Sequence, residues 1–502
     1  MLSKRWRFKL TTTLTVVVLT GTVCVQSPER VISSPLAPSP SVQPALQSQA
    51  TLPAYLPLIL RRAASPTPIP PSAAARRVNA PYHSAEPRFA EAAIFWFGRV
   101  TPTENYSDVR LSYTESELYV YLAAFDRRLW YDTSPSSQDL TAWDSASLLL
   151  DLSANPSKTP QSSSYRFDAQ FNDWEARAPF QAAYRGNGVG WTPASVPFLT
   201  TRGWQGDAIN NDGDDKGWAM TFHIPFASMG FNTPPPQGAL WRLGIVLHDR
   251  DDQAGTPIAD KAWPEATDPG RPSTWGELRF GLPAYTPPDL SSPRITLVRQ
   301  GLNGASVLDA AVGGYTVCGS GQDHWSEWGE TNEAYYNPEL SDYNIQNQSD
   351  ISDWPCFSKV YLTFPLQGIP PGSAILSATL ALYQVGNSQP EDATDSYIQV
   401  LTVSQDWDPR TITWNNAPLA WENVGAAWVE PLPAHPDFPG VRREWDVSLA
   451  AAQAFLNGTP LRLVLYSADS DYHSGKYFVS SDTGDWNAAG RPTLIITWAP
   501  GD

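Results

Sequence analysis

Tryptophan is the residue type whose number and placement in this 502-residue sequence most strongly suggest a chemistry. The chain has 21 tryptophans, and a flat indole can stack on the apolar C–H face of a sugar ring. Most tryptophans of a β-protein fill its core, so we take those flanked by polar or turn residues as candidates for exposed platforms. These candidates are Trp143, Trp174, Trp191, Trp204, Trp325, Trp328 and Trp354, whereas Trp218, Trp241, Trp275 and Trp414 lie within the longer motifs described below and are predicted to be framework.

Clusters of carboxylates and amides are the second feature with chemical potential. Calcium prefers carboxylate and carbonyl oxygens, which makes it the expected metal for such clusters. The segment Asp207–Asp215 superficially resembles a calcium loop, but alignment on Gly213 places Ala208 and Ala219 at the first and last ligand positions of an EF-hand. An acidic hairpin loop and a metal site are therefore both open interpretations. The metal-ligand candidates are Asp168, Gln170, Asp212, Asp214, Asp249 and Asp251.

Catalytic motifs are scarce in the sequence. No HExxH, GxSxG or phosphate-cradling Gly-Lys motif occurs. The most enzyme-like group consists of Glu327, Glu330 and Glu333 beside Trp325 and Trp328, because a glycosidase needs paired carboxylates. Carboxylates in an acidic loop are usually solvated surface, so we predict that the chain is not an enzyme.

The overall charge argues against nucleic-acid binding. The chain has 34 Lys and Arg against 51 Asp and Glu, a net charge of −17. Residues 1–80 hold nine basic residues and one acid, so the remainder is even more acidic. Such a surface would repel a phosphate backbone, and we predict no nucleic-acid partner.

The basic N-terminus is typical of a secretory signal peptide, predicted over residues 1–27. Lys4, Arg5, Arg7 and Lys9 precede an apolar run from Leu14 to Val25, which is shorter than the ~20 residues needed to span a bilayer. A retained membrane anchor is the alternative interpretation. Secretion to the extracellular space or the cell surface would allow a disulfide between Cys318 and Cys356; two unpaired cysteines are the other possibility.

Composition and strand-like patterns predict an all-β protein with two sandwich domains in tandem. Eleven of the 47 prolines fall between residues 27 and 80, which predicts a Pro-rich linker over residues 28–84. Short strand-like runs then fill residues 85–282 and 294–499, separated by a second Pro-rich linker at 283–293. One helix is predicted, from Ser448 to Leu456, with Gly458 after its end.

Several motifs of the first domain occur in the order and spacing of a known family. They are Asp144–Asp151 (DSASLLLD), Phe167–Phe171 (FDAQF), Asp214–Phe226 (DDKGWAMTFHIPF), Trp241–Ile245 (WRLGI) and Trp275–Phe280 (WGELRF). In these motifs residues 85–281 resemble family 9 carbohydrate-binding modules. The resemblance implies a secreted β-sandwich with structural calcium that clamps the end of a sugar chain between two tryptophans.

The resemblance implies positions for both clamp tryptophans, but only one is occupied. Trp143 lies near the first position, just before the DSASLLLD motif. At the second, residues 269–272 are Pro-Gly-Arg-Pro, and Trp263 is the nearest candidate, although it aligns better with a framework tryptophan. The second clamp residue is therefore missing from its expected place.

The second domain resembles the DNRLRE-domain β-sandwiches of secreted bacterial proteins. The motifs are Ser358–Phe364 (SKVYLTF), Ile369–Leu380 (IPPGSAILSATL), Thr413–Pro418 (TWNNAP), Trp445–Val447 (WDV) and Arg491–Leu494 (RPTL). Some members of that group bind polysaccharides. Taken together, the sequence predicts a secreted, non-catalytic bacterial protein that binds a polysaccharide or cell-wall glycan at the cell surface. The alternatives are a structural or adhesion protein of the envelope and, third, a hydrolase or its accessory.

Overall fold

The computed structural model describes residues 75–135, 140–314, 324–331, 342–348, 354–469 and 474–501. All of them belong to one compact unit, Ser65–Asp502. The predicted signal peptide, residues 28–74 of the predicted linker, Cys318 and Glu333 lie outside the described residues. Within the described ranges, no helix has both the length and the apolar character needed to cross a bilayer.

The first half of the described chain consists of short strands. They are β1 (Arg77–Ala80), β2 (Ala93–Thr101), β3 (Glu104–Tyr113), β4 (Glu117–Phe125), β5 (Ser145–Asp151), β6 (Ser164–Gln170), β7 (Gln181–Gly186), β8 (Trp191–Pro193), β9 (Leu199–Gln205), β10 (Gly217–Pro225), β11 (Leu240–His248), β12 (Lys261–Trp263) and β13 (Gly276–Phe280).

The second half adds further strands and two α-helices. The strands are β14 (Arg294–Arg299), β15 (Leu308–Gly313), β16 (Asp342–Ile345), β17 (Ser358–Phe364), β18 (Ser373–Asn387), β19 (Ser396–Val403), β20 (Ala420–Val429), β21 (Val441–Asp446), β22 (Leu461–Ser467), β23 (Lys476–Val479) and β24 (Thr493–Pro500). The helices are α1 (His324–Glu327) and α2 (Ser448–Leu456), and the second confirms the one predicted helix.

Short 3₁₀ segments connect several strands. They are Phe89–Glu91, Leu140–Ala142, Ala178–Phe180, Phe226–Met229, Pro272–Thr274, Leu302–Gly304, Trp328–Glu330 and Asp485–Gly490.

The strands form three sheets. A five-stranded sheet has the order β2-β3-β4-β10-β9, and a six-stranded sheet has the order β14-β24-β18-β23-β16 with β21 paired to β18. The third sheet runs β15-β17-β22-β19-β20-β1-β13-β11-β5-β6-β7-β8, with β12 on β11. Its two halves each face one of the smaller sheets, so the prediction of an all-β protein with two sandwiches is confirmed.

Strand β1 joins the two halves of the long sheet and corrects the predicted linker boundary. It pairs in parallel with β13 over four residues and with β20 through Arg77 and Glu422. Asn79 adds side-chain hydrogen bonds to Glu422 and to the Asn423 carbonyl. The predicted linker 28–84 therefore includes a strand, because these polar residues find their partners in segments more than 190 residues away.

Alternation along strand β2 explains how the two sandwiches meet. Ala93, Phe95 and Phe97 point into the core of the first sandwich. Ile94 and Trp96 point the other way, into a separate apolar cluster that also contains residues of the second sandwich. Successive side chains of a strand lie on opposite faces, so a strand buried on both sides has a continuous apolar sequence. We call this shared cluster the junction core.

Candidate functional site

Three buried aspartates from distant parts of the chain meet at one end of the first sandwich. Asp126 directly follows β4, Asp144 directly precedes β5 and Asp249 directly follows β11. Each offers a carboxylate oxygen such that the three oxygens lie within 4.8 Å of one another. The antiparallel pairing of β5 with β11 places the start of one strand beside the end of the other, which brings Asp144 and Asp249 together.

Hydrogen bonds orient two of these carboxylates. Asp126 accepts from the backbone N–H of Arg128 at 3.0 Å and from Nε1 of Trp218 at 3.2 Å. Asp144 accepts from the backbone N–H groups of Trp130 at 2.6 Å and Arg250 at 3.0 Å. Such outer contacts hold metal-binding carboxylates in a fixed orientation.

The third carboxylate, Asp249, is the least satisfied. Among the described residues, neither of its buried oxygens has a donor in hydrogen-bonding geometry, although the Asn105 amide is close enough to lower its pKa somewhat. Burial and the charge of Asp251 outweigh this effect and raise the pKa of Asp249 to about 8. A buried acceptor without a donor costs free energy, which a bound cation would remove.

Electrostatic repulsion within the cluster points the same way. Burial, followed by the charges of neighbouring aspartates, raises the pKa values of Asp126 and Asp144 well above the ordinary value. The pKa of Asp251 rises to about 6, mainly through burial. Like charges in a dry site either take up protons or bind a cation. An all-oxygen set of buried carboxylates fits a hard divalent ion such as calcium.

The metal candidates chosen from the sequence are only partly placed here. Asp249 belongs to the cluster, and Asp251 is close enough to perturb its pKa. Asp212 and Asp214 instead form ion pairs with Arg128 and Arg127 at the surface. These ion pairs favour the acidic-loop interpretation of Asp207–Asp215 and correct the choice of Asp212 and Asp214 as metal ligands.

Asp168 and Gln170 also lie outside the three-carboxylate group. Asp168 accepts from Ser147 Oγ at 2.6 Å and from Arg166 Nε at 2.7 Å, so its charge is already balanced. Gln170 is buried on β6, with its amide 3.5 Å from the Leu140 carbonyl. Both were chosen for their oxygen content, but their side chains meet other partners across β5 and β6.

A Ser-His-Asp arrangement in the same sandwich has the spacing of a hydrolytic triad but not its environment. Nε2 of His248 lies 3.0 Å from Oγ of Ser147, and Nδ1 lies 2.9 Å from Oδ1 of Asp260. Ser147 is buried in the middle of β5 and donates its proton to Asp168. A nucleophile needs a base that receives its proton and a path to substrate. This group is therefore a structural hydrogen-bond network.

Trp174 is the one sequence-predicted platform that is strongly exposed. Its side chain, between β6 and β7, is 80% exposed. The flanking residues are pinned: Asp173 accepts from Nε1 of Trp204 at 3.1 Å, and its carbonyl accepts from Nε of Arg202 at 3.0 Å. Arg202 also donates to the Glu175 carbonyl at 3.0 Å. The Trp174 indole is therefore exposed to solvent on a loop that hydrogen bonds hold in place.

Trp143 and Trp191 are half-buried, and each has one face in use. The Arg250 guanidinium lies 4.3 Å from the ring centre of Trp143. Trp191 stacks in parallel on Trp275 with ring centres 6.3 Å apart, and its Nε1 donates to the Pro269 carbonyl. Both side chains therefore help to position loops around the aspartate cluster and residues 264–275.

Four further candidates are buried, which corrects their choice, whereas Trp204 on β9 is half-buried and packs against the first core. Trp263 packs in the first core against Phe95, as its framework alignment suggested. Trp325, Trp328 and Trp354 lie in the junction core, where they fill the space between the two sandwiches. Their polar flanking residues had suggested exposure, because the sequence does not show that this loop packs against another domain. The four predicted framework tryptophans, Trp218, Trp241, Trp275 and Trp414, are buried as expected.

Two exposed tryptophans escaped the sequence analysis. Trp428 is 43% exposed on β20, and Trp486 is 64% exposed in the 3₁₀ segment Asp485–Gly490. The flanks of Trp486, Gly484-Asp485 and Asn487, are the turn-type residues used to select the other candidates. The same criterion, applied to every tryptophan, would have found it.

Two members of the glutamate cluster, Glu327 and Glu330, lie in the described part of the chain. Glu330 accepts from the Asn415 side chain at 3.2 Å, and its neighbour Trp328 is fully buried. Glu327 is exposed, and Glu333 lies outside the described residues. Nothing in the described part of this segment pairs two carboxylates across a groove.

Part of the second sandwich is similar to a carbohydrate-binding family. Residues 341–497 match the model of Carbohydrate-binding module family 96. A search of curated proteins found no match. The prediction of a carbohydrate-binding protein is therefore confirmed at the level of the family match.

The solved structures that are similar to the chain include two family 9 modules. One is a family 9 module from Caldicellulosiruptor kristjanssonii in complex with cellotriose, with 15% identity and a TM-score of 0.30, covering 41% of this chain and 94% of that one. The other is a family 9 module from the same organism in complex with glucose, with 16% identity and a TM-score of 0.30, covering 42% and 100%. Family 9 is the family that the N-terminal motifs resemble.

Proposed function

We propose that this chain is a non-catalytic polysaccharide-binding protein and that Trp174 is the main sugar contact of its first sandwich. The observation that carries the proposal for the first sandwich is the exposure of Trp174 on a hydrogen-bonded loop. The family match over residues 341–497 supports glycan binding by the second sandwich.

The physical basis is stacking on a preorganised surface. An indole buries the C–H face of a pyranose while the sugar hydroxyls stay in water or meet polar neighbours. The loop around Trp174 is further fixed by the Tyr131 hydroxyl, which donates to Glu175 at 2.8 Å. A contact residue that is already held in place loses little conformational entropy on binding.

Burial of the carboxylates supports binding without hydrolysis. Asp126, Asp144 and Asp249 are all buried, so a glycosidic bond cannot reach them. Ser147 of the triad-like group is buried as well. Hydrolysis of a glycoside needs two carboxyl groups that flank the bond on opposite sides.

We assign structural calcium to the aspartate cluster as part of this proposal. Asp126, Asp144 and Asp249 would hold the ion, whose positive charge would offset three carboxylates and tie together segments next to β4, β5 and β11. The remaining residues orient the ligands: Trp218 and the backbone N–H groups of Arg128, Trp130 and Arg250 donate to them.

Export and surface location also belong to the proposal. The basic and apolar N-terminal pattern supports secretion, and an oxidising compartment would allow the Cys318–Cys356 disulfide. The proposed ligand is then a polysaccharide outside the cell or a glycan of the cell wall.

A structural or adhesion role is the second candidate function. It is favoured by the position of Trp325, Trp328 and Trp354, which join the two sandwiches and leave no ring available for sugar. A protein that serves only as a rigid spacer would need this junction and no exposed platform.

Substitution of Trp174 tests the proposal. The variant Trp174→Ala should lower the affinity of the full chain for a soluble polysaccharide about tenfold, because stacking contributes on the order of 1 kcal/mol. The measurement is isothermal titration with a panel of neutral and acidic polysaccharides. Trp428→Ala is the matched control, since it removes another exposed indole, and it should bind like the wild type. Absence of binding by the wild-type chain to every polysaccharide would favour the structural role.

A further inference from the structure

A second aromatic platform lies on the C-terminal sandwich, outside every position chosen from the sequence. Trp486 and Phe438 are 64% and 59% exposed. Their rings meet edge to face, with centres 4.6 Å apart and planes at 80°. Two large aromatic side chains exposed side by side are costly in water unless they serve a contact, and they form a corner rather than a flat patch.

The segment that carries Trp486 is firmly held. Nε of Arg491 donates to the Thr483 carbonyl at 2.8 Å, and Nη2 donates to Asp485 at 2.9 Å. The backbone N–H of Asn487 donates to the Gly484 carbonyl at 3.0 Å. A Cβ at Gly484 would lie 2.9 Å from Cδ1 of Trp486, so glycine leaves the space that the indole occupies.

The opposite wall of the corner is held close to this segment. Phe438 precedes Pro439, whose carbonyl oxygen would lie 2.8 Å from a Cβ at Gly490, the last residue of the 3₁₀ segment. The absence of a side chain at Gly490 therefore lets the two loops approach each other. In the described part of the chain, Nε1 of Trp486 donates no hydrogen bond, so it is available to a sugar hydroxyl.

We propose that Trp486 and Phe438 form a glycan-binding site for a neutral polysaccharide. The inference rests on the proposed function. Both rings lie within residues 341–497, so the proposed site falls inside the segment that matches the carbohydrate-binding family. One ring would stack on a pyranose face while the other closes the side, and Nε1 would donate to a hydroxyl.

The charges near Trp486 and Phe438 favour a neutral polysaccharide over an acidic one. Asp437 and Asp482 are exposed within four residues of Phe438 and Trp486 in the chain, whereas Asp485 is paired with Arg491. An acidic polysaccharide would meet these carboxylates and the net charge of −17, and like charges disfavour association.

The test measures binding of the full chain to soluble xylan, mannan and mixed-linkage β-glucan, with polygalacturonate as the acidic arm. Trp486→Ala and Phe438→Ala should each weaken binding of the neutral polysaccharide about tenfold. Trp428→Ala, an exposed indole of the same sandwich, should leave it unchanged. Unaltered melting temperatures would show that the variants fold, as expected for exposed residues.

The other outcomes separate this inference from the proposed function. Binding that falls in Trp174→Ala but not in Trp486→Ala or Phe438→Ala overturns the second site and leaves the proposed function intact. Tighter binding of polygalacturonate than of any neutral polysaccharide overturns the neutral class. Absence of binding to all four polysaccharides overturns both proposals.

Discussion

At the scale of single residues, the buried aspartates give the sharpest expectation. Asp249→Asn removes one carboxylate charge from the proposed calcium site while keeping the size of the side chain. We expect calcium to raise the melting temperature of the wild-type chain, because an ion that binds only the folded state stabilises it by mass action. Asp249→Asn should lose most of that shift, measured by thermal unfolding with calcium and with a chelator.

Asp214→Asn is the matched control for that experiment. Asp214 was also chosen as a ligand from the sequence, but it is paired with Arg127 at the surface. Its substitution should leave the calcium response unchanged. Equal melting temperatures of the wild-type chain with calcium and with chelator would contradict the assignment.

Sequence reasoning found one member of this cluster and missed two. Asp249 stood out because it lies in an oxygen-rich run with Asp251 and Asp252. Asp126 is followed by two arginines and belongs to none of the motifs, and Asp144 was noted only as the first residue of the DSASLLLD motif. The three meet only through the pairing of strands that are distant in the chain, which local composition does not report.

At the scale of secondary-structure elements, strand β15 contains a buried aspartate, Asp309, whose effect on folding stability depends on pH. Asp309 accepts from the backbone N–H of Ser481 at 2.6 Å, and burial, the largest cause, raises its pKa to about 7. A carboxyl whose folded pKa exceeds its unfolded value of 3.8 favours folding when protonated. Its contribution to stability therefore decreases as the pH rises from about 4 to about 7.

Asp309→Asn should remove this dependence. The variant keeps an oxygen that accepts from Ser481 but has no charge to bury. Relative to the wild type, we expect it to gain stability at pH 7.5 and to gain little at pH 4, measured by urea unfolding at both values. A larger gain at pH 4 than at pH 7.5 would contradict the argument.

The strands themselves were largely predictable. Among the strand-like runs of the sequence are Leu118–Ala124, Ala146–Asp151, Val360–Phe364 and Leu461–Tyr466, and each lies within a strand of the structure. Strand β1 was not, because four residues with two polar side chains resemble the end of a linker. Only its partners, β13 and β20, reveal why Arg77 and Asn79 belong in a sheet.

At the scale of the whole molecule, the junction core couples the two sandwiches. Its centre is Lys359 on β17, whose Nζ lies 3.5 Å from the ring centre of Trp414 and 4.1 Å from that of Trp96. Trp96 belongs to the first sandwich and Trp414 to the second. Tyr466 of the second sandwich also donates to Asp108 of the first at 2.8 Å. Two domains that share buried aromatic rings should unfold together.

Calorimetry of the full chain tests this coupling. The wild type should show one unfolding transition over the described sandwiches. Trp328→Ala should destabilise the chain by about 3–5 kcal/mol, as for other large-to-small changes in cores, and separate the transition into two. The control is Trp445→Ala, which truncates a buried tryptophan of the second core. It should lower the temperature of unfolding but keep a single transition. Two well-separated transitions in the wild type would contradict the coupling.

The two-sandwich architecture was predictable from composition and motifs, but the junction was not. Trp325 and Trp328 have polar neighbours in the chain, and their burial depends on a surface of β2 that lies more than 200 residues away. Because this contact joins residues so distant in the chain, local sequence predicted Trp325 and Trp328 to be exposed although both are buried.

The most direct test of the account is the affinity of the full chain and of the double variant Trp174→Ala/Trp486→Ala for soluble neutral polysaccharides, with sugar release followed in the same samples. We predict saturable binding by the wild type, loss of at least about a hundredfold in affinity in the double variant, and no release of sugar. Equal binding by both proteins, or release of shortened sugar chains by the wild type, would contradict a non-catalytic protein that binds glycans through exposed indoles.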